Sequence, residues 1–117
     1  MNSEYKNLAV WQKADELAKE VYSITQSFSG ETAYSIITQL RRAALSIPEH
    51  IGEGAGRGGV ATPRQFLTIA FGSLAETEYL LEFCYRLKYI EVENYSRLER
   101  LRKEVGGLLW NLYHSVN

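Results

Sequence analysis

Few side chains in this sequence can move a proton near neutral pH. His50 and His114 are its two histidines, and histidine is the side chain whose ordinary pKa falls between pH 5 and 8. His50-Ile-Gly-Glu53 sets an imidazole and a carboxylate three residues apart on a helix, a spacing that can hold a metal ion. A di-metal site in a helical bundle needs Glu-x-x-His on two helices and two further inward glutamates, and that order occurs nowhere in the chain. The single cysteine, Cys84, has no partner for an internal disulfide and falls inside an apolar helical pattern, so it reads as a small core residue before a reactive thiol. No Ser/His/Asp or Cys/His set can be assembled, and there is no Walker loop. Gly54-Ala-Gly-Arg-Gly-Gly59 fits the letters of the dinucleotide fingerprint, but that motif follows a strand and opens a helix, whereas this one closes a helix. The expectation is a non-enzymatic protein with no metal, cofactor or small-molecule substrate.

What remains is the chemistry of charge. The chain has 13 basic and 14 acidic residues and a net charge of −1, so it is not a general electrostatic binder of nucleic acid. The charge is uneven, at −2, +2, −3 and +2 over residues 1–31, 32–64, 65–93 and 94–117. Two readings stand: oppositely charged neighbouring helices pack together, or the basic segments form a patch for phosphate.

Four helices must position these groups. Val10, Ala14, Leu17, Val21, Ile24 and Phe28 alternate spacings of four and three, with Lys13, Glu16, Lys19 and Glu20 between them, which makes an amphipathic helix of about six turns. It ends near Phe28-Ser29-Gly30, where Ser29 can cap the next helix. Ala33, Ile37, Leu40, Ala44, Ile47 and Ile51 repeat the pattern. Pro48 interrupts it at a cost of ~3 kcal/mol in an ordinary helix interior, yet the seam stays in phase, which predicts one kinked helix. Arg42, Glu49 and Glu53 lie opposite the seam while Arg41 flanks it, so the adjacent arginines have different jobs. Gly52, Gly54, Gly56, Gly58 and Gly59 then dissolve the helix into a loop around Arg57.

Thr62-Pro63-Arg64-Gln65 opens the third helix with a capping box and a proline at the first helical position. Leu67, Ala70, Leu74, Thr77, Leu81 and Cys84 form one seam and Ile69, Leu80, Phe83 and Leu87 a second, an apolar arc of ~200°. Such a helix is either central in the bundle or keeps one face for another subunit. Glu76 sits in the second seam, where a lone carboxylate is costly without a cation; its expected partner is Arg41 or Arg42. Glu78, Glu82 and Arg86 read as a solvated face. The fourth helix carries Leu98, Leu101, Val105, Leu108 and Leu112, with Arg100 and Lys103 pointing away from the core. Gly106-Gly107 inside it costs about 1 kcal/mol each relative to alanine, which suggests a close backbone or a bend.

Helices over about 6–28, 30–56, 63–88 and 93–115, with no strand signal, predict a single-domain all-α protein. The architecture expected is an up-down-up-down four-helix bundle, left-handed because the apolar period of about 3.5 lies below 3.6. Eight tyrosines and two tryptophans are many for one small core, and Trp11, Tyr34, Tyr79, Tyr85, Tyr89 and Tyr95 favour an oligomer interface. The N-terminus has no apolar signal region and no run nears the ~18 apolar residues of a membrane span. A reducing cytoplasm fits.

Four ordered stretches, Leu8-Ala-Val-Trp-Gln-Lys-Ala14, Gln39-Leu-Arg-Arg-Ala-Ala-Leu-Ser-Ile-Pro48, Ile51-Gly-Glu-Gly-Ala-Gly-Arg57 and Phe66-Leu-Thr-Ile-Ala-Phe-Gly-Ser-Leu-Ala-Glu76, strongly resemble one family over roughly residues 8–113. It is the bacterial family of four-helix-bundle proteins encoded in 23S rRNA intervening sequences, relatives of the accessory variability determinant of diversity-generating retroelements. The resemblance implies a non-enzymatic bundle that assembles as a ring-like homopentamer. In the retroelement relatives that ring presents basic surface to RNA and a reverse transcriptase. It also implies a structural motif of Arg41, Arg42, Pro48, Gly52, Gly54 and Glu76. Here Glu49-His50 stand where Ser-Asn is usual, and Gly52 where alanine is. Five copies carry about −5, so any contact with RNA is local, and by position the candidates are Arg42, Arg57, Arg64, Arg100 and Lys103. The function so implied is scaffolding or binding structured RNA or an RNA-handling partner; the alternative is a protein-binding oligomeric adaptor with no nucleic-acid affinity.

Overall fold

A computed structural model describes residues 4–56 and 63–116. A 3₁₀ turn, Glu4–Asn7, leads into α1 (Ala9–Thr25), α2 (Ala33–Gly56), α3 (Pro63–Arg86) and α4 (Val92–Ser115). Among the described residues there is no strand, and no helix is long and apolar enough to cross a membrane. α1 and α3 each pack against both α2 and α4, most extensively where α3 meets α2, giving an all-α four-helix bundle of 46 × 24 × 19 Å. Leu17, Val21, Leu40, Ile47, Ile51, Leu67, Leu81, Leu98, Val105 and Leu109 are fully enclosed, and each such side chain contributes about 1.5–3 kcal/mol relative to solvent.

The seam expected on the first face of α3 is buried throughout and those on α1 and α2 along most of their length, with Ile24, Phe28 and Ile37 half-buried, but α4 turns differently. Leu98, Leu101, Arg102, Val105 and Leu109 are buried while Leu108 and Leu112 are half-exposed. A helix at 3.6 residues per turn drifts off a strict 3.5 repeat, and with leucines at both 108 and 109 the core takes the second.

The ends differ from expectation for local reasons. Thr25 donates its hydroxyl to Val21 O at 2.7 Å, and Ser27 N and Phe28 N reach back only three residues, so α1 closes in a tightened turn. Gly30 has φ +103° and Ala33 N bonds Gly30 O at 3.2 Å. This turn starts α2 at Ala33 and leaves Ser29 too far upstream to cap it. α3 begins at Pro63 as the sequence predicts; Thr62 and the glycine run at 58–59 lie outside the described residues. At its other end Lys88 has φ 67°, with Tyr89 N on Cys84 O and Lys88 N on Tyr85 O, both at 2.9 Å. That is a Schellman cap with lysine where glycine is the usual choice.

Pro48 is buried within α2, which stays helical on both sides of it. The turn around the missing donor is fastened by side chains of α2 and α3. Ser46 Oγ lies 2.7 Å from Ser73 Oγ on α3, and His50 Nδ1 lies 2.8 Å from the Ser46 carbonyl oxygen. A carbonyl only accepts, so Nδ1 carries the proton in that bond. One turn further on, a Cβ at Gly52 would stand 3.0 Å from Tyr5 Cε1. The same tyrosine ring packs edge-on against Trp11 with centroids 5.6 Å apart, so Gly52 seats the N-terminal turn across α1 and α2. Gly106 and Gly107 have no such role. A Cβ at Gly106 would meet only a Leu74 methyl at 3.4 Å and one at Gly107 nothing, so no other backbone comes close.

Candidate nucleic-acid interface

The residues expected to meet phosphate do not converge on one point, but two of them share a surface. Arg100, Lys103, Gly107, Trp110 and His114 follow at spacings of three, four, three and four, which aligns them along the outer face of α4. Arg100 and Lys103 are exposed and meet no carboxylate among the described residues. The nearest acids are engaged elsewhere: Glu99 with Arg102, and Glu104 with Lys13 at 3.7 Å. Trp110 is 59% exposed and packs edge-on against His114, ring centroids 3.9 Å apart. His114 also meets Tyr113, which contacts Phe71 of α3.

Arg64 closes the far end of this strip. From the first turn of α3 its Nε donates to Val116 O at 3.0 Å, and its guanidinium carbon lies 4.8 Å over the Tyr113 ring. Its role there is to tie the end of α4 to α3, with the rest of the guanidinium fork at the half-buried edge. Arg42 is exposed on α2, on a different part of the bundle. Arg57 lies outside the described residues.

Arg41 and Glu76 correct an expectation. Arg41 Nε donates to Thr25 Oγ1 at 2.8 Å and its guanidinium lies 4.7 Å over the Tyr22 ring, so it bridges α2 to α1. Glu76 is exposed on α3 and pairs with neither Arg41 nor Arg42. The second seam of α3, in which it sits, is largely outside the bundle. There the carboxylate keeps its water and needs no cation.

The ion cluster that the bundle does contain is elsewhere. Arg102, with an 11% exposed side chain, grips Glu99 through Nε at 2.7 Å and Nη2 at 3.0 Å, and reaches Glu78 of α3 at 3.4 Å. The Glu99 bonds raise the guanidinium pKa further, against the opposing effect of burial. Burial and then Glu99 push the nearby Tyr95 phenol up as well. Glu78 thus reaches Arg102 from the solvated face it shares with Glu82 and Arg86, where it stays 54% exposed; Glu82 and Arg86 are 3.8 Å apart.

The histidine chemistry is structural in geometry. His50 Nδ1 is committed to Ser46, and Glu49 lies 3.9 Å away. Among the described residues no three His, Cys, Asp or Glu side chains are grouped to hold a metal ion. Cys84 is fully buried, and desolvation pushes its thiol up to about 11.

Comparison with known proteins adds the family. The profile described as 23S rRNA-intervening sequence protein matches residues 6–111. The chain belongs to that family. Among solved structures, a protein of unknown function from the S23 ribosomal protein family of Bacteroides thetaiotaomicron VPI-5482 is similar. It shares 27% identity at a TM-score of 0.81, over 90% of this chain and 98% of that one. A search of curated proteins found no match.

Arg102 and Trp110 of this intervening-sequence protein escaped the sequence reading, and His114 was read there only as an acid/base candidate. Arg102 is in phase with Leu98, Val105 and Leu109 and three residues from Glu99, a signal that was available. Trp110 and His114 continue the spacing of Arg100 and Lys103, and their signal was an aromatic on the polar side of an amphipathic helix.

Proposed function

We propose that this intervening-sequence protein is a non-enzymatic assembly protein that scaffolds or binds structured RNA, or an RNA-handling partner, through the outer face of α4. The observation that carries the reading is the acid-free alignment of Arg100, Lys103, Trp110 and His114. The cations supply phosphate contacts and the exposed indole a face on which an unpaired base stacks, a contact worth ~1–3 kcal/mol. RNA-loop recognition uses this combination of chemistries. Kinship with the retroelement determinants, a reverse-transcriptase-like partner and a cytoplasmic setting belong to the same proposal. So does assembly as a homopentamer of left-handed, up-down-up-down bundles. Opposite running is supported by Lys13–Glu104 and Glu20–Arg97, which pair α1 with α4 in reverse order.

The test is binding of a fluorescent hairpin RNA with an unpaired loop, measured by anisotropy from 50 to 200 mM salt. Expected is a salt-dependent affinity whose slope falls by about one for each of Arg100→Ala and Lys103→Ala, and a roughly ten-fold loss for Trp110→Ala. Absence of salt-dependent binding would overturn the reading in favour of a protein-binding adaptor, which exposed Tyr34, Ile69, Tyr79 and Leu87 favour.

A further inference from the structure

In the outer strip of α4, Gly107 is the position without a side chain, and no packing inside the chain explains it. It is exposed, and a Cβ there would meet no atom within 4 Å. Glycine in a helix interior is destabilising relative to alanine, so the position gives up stability and leaves open space. The preceding residue is different. Gly106 is half-buried and a Cβ there would touch Leu74 of α3 at 3.4 Å, which puts Gly106 on the packed side of α4 and Gly107 on the open one.

The side chains around that space are of the kinds that bind a nucleobase. The helical neighbours of position 107 are Lys103, Glu104, Trp110 and Asn111, and side chains on a helix lean toward its N-terminus, over the turn before them. Trp110 and Asn111 therefore flank the turn of Gly107 on two sides, yet neither fills it, since nothing stands within 4 Å of a Cβ at that position. His114 braces the indole from the following turn, ring centroids 3.9 Å apart. The Asn111 amide is exposed and makes no hydrogen bond among the described residues, so its donor and its acceptor are both available. At the other end Glu104 is drawn to Lys13 of α1 at 3.7 Å, which leaves Lys103, and Arg100 one turn before it, as the charges that face a ligand. Lys103 and Trp110 are about 10 Å apart along the helix axis, enough for a nucleotide to lie between cation and indole.

We infer that the space over Gly107 is the seat of one unpaired base, stacked on the Trp110 indole with its edge at Asn111 and its phosphates running toward Lys103 and Arg100. An open space walled by a π-face and an amide, with cations at one end, suits a flat ring that carries donors and acceptors and trails a phosphate. A duplex keeps its bases stacked on each other and has none to insert. Gly107 is thus a specificity-determining residue: it makes the cationic face select an unpaired loop over a paired stem. This inference rests on the RNA-binding reading of α4 and names the group that enters the site.

The experiment is fluorescence anisotropy of wild type, Gly107→Leu, Asn111→Ala and Gly106→Ala with three probes: a hairpin RNA with an unpaired loop, the same hairpin with abasic loop nucleotides, and a fully paired duplex. Expected of wild type is about ten-fold tighter binding of the base-bearing loop than of the other two. Gly107→Leu should lose that preference and keep the salt slope, because both cations remain. Its Tm should rise by about 4 °C, because α4 loses a glycine at an open position, which verifies the fold. Asn111→Ala should lose about five-fold on the base-bearing loop, and Gly106→Ala, on the packed side, nothing. A Gly107→Leu protein that still prefers the loop, a wild type that binds all three probes alike, or an equal loss in Gly106→Ala would overturn the base seat while leaving the cationic face standing. A wild type without salt-dependent binding to any probe would overturn face and seat together.

Discussion

α3 is joined to its two neighbours by opposite chemistries. Toward α2 one polar contact is two serine hydroxyls 2.7 Å apart. Toward α4 it is a nearly buried arginine held by Glu99 and Glu78, beside Tyr85 and Tyr95 stacked at 4.4 Å. A neutral hydrogen bond gains about 1 kcal/mol net and loses little more when cut. A desolvated ion cluster gains little net, yet removing one member strands charge in a poor solvent. The first contact is tolerant of change and the second is not.

The sharpest way to break that comparison is Arg102→Ala, which leaves Glu99 largely buried and unpaired. It should lower stability by about 3 kcal/mol, a drop in Tm on the order of 10 °C by calorimetry. A loss below about 1 kcal/mol would place both flanks on one footing. Next is the alkaline limb. Cys84 ionises near 9.0 when exposed and near 11 in the fold. The unfolded chain therefore releases that proton first, and stability present below pH 9 should fall by about 2 kcal/mol as pH approaches 11. Tyr95, also raised, adds in the same direction above the ordinary tyrosine range. Denaturant titrations of Cys84→Ala should show most of the early slope gone. The Arg102→Ala curve should keep the Cys84 part of that slope and fall more steeply where Tyr95 titrates, because Arg102 holds the Tyr95 pKa down against Glu99 and Glu78.

Ser73→Ala is the smaller counterpart on the α2 flank, with an expected loss of about 1 kcal/mol that is insensitive to added salt. A loss as large as that of Arg102→Ala would mean that the serine pair also supports the turn around Pro48. Smallest is Lys88→Gly, which relieves a left-handed backbone while loosening the unfolded chain, for a net gain of about 0.5 kcal/mol in chemical denaturation. It lies at the end of α3 and should shift both flanks equally.

The regular part of this architecture was open to reading because α1 and α2 repeat four-three spacings without ambiguity, and because Thr62-Pro63 marks a helix start by its own chemistry. Leu108 against Leu109 was not decidable, since a one-residue rotation keeps a leucine inward either way. Arg41 and Arg42 were correctly given different jobs by helical phase alone. Their partners were not visible, because Thr25 and Tyr22 belong to another helix and a hydroxyl and a ring leave no charge pattern. Glu76 was misplaced for a related reason: an apolar stripe looks the same in sequence whether its cover is a neighbouring helix or water. Arg102 was legible in principle, by the same phase rule, but a charged residue in a core position reads as noise until its carboxylates are located. The α4 face was half legible, its cations by position and its indole not at all.

The two tryptophans stand in opposite surroundings, Trp11 half-buried against Tyr5 and Trp110 open to solvent on α4. An indole's emission wavelength follows the polarity around it, so the protein carries two optical reporters. The shorter-wavelength one responds to release of the N-terminal turn from Gly52. The longer-wavelength one responds to whatever settles on the cationic face, so unfolding and binding can be followed in one cuvette without a label.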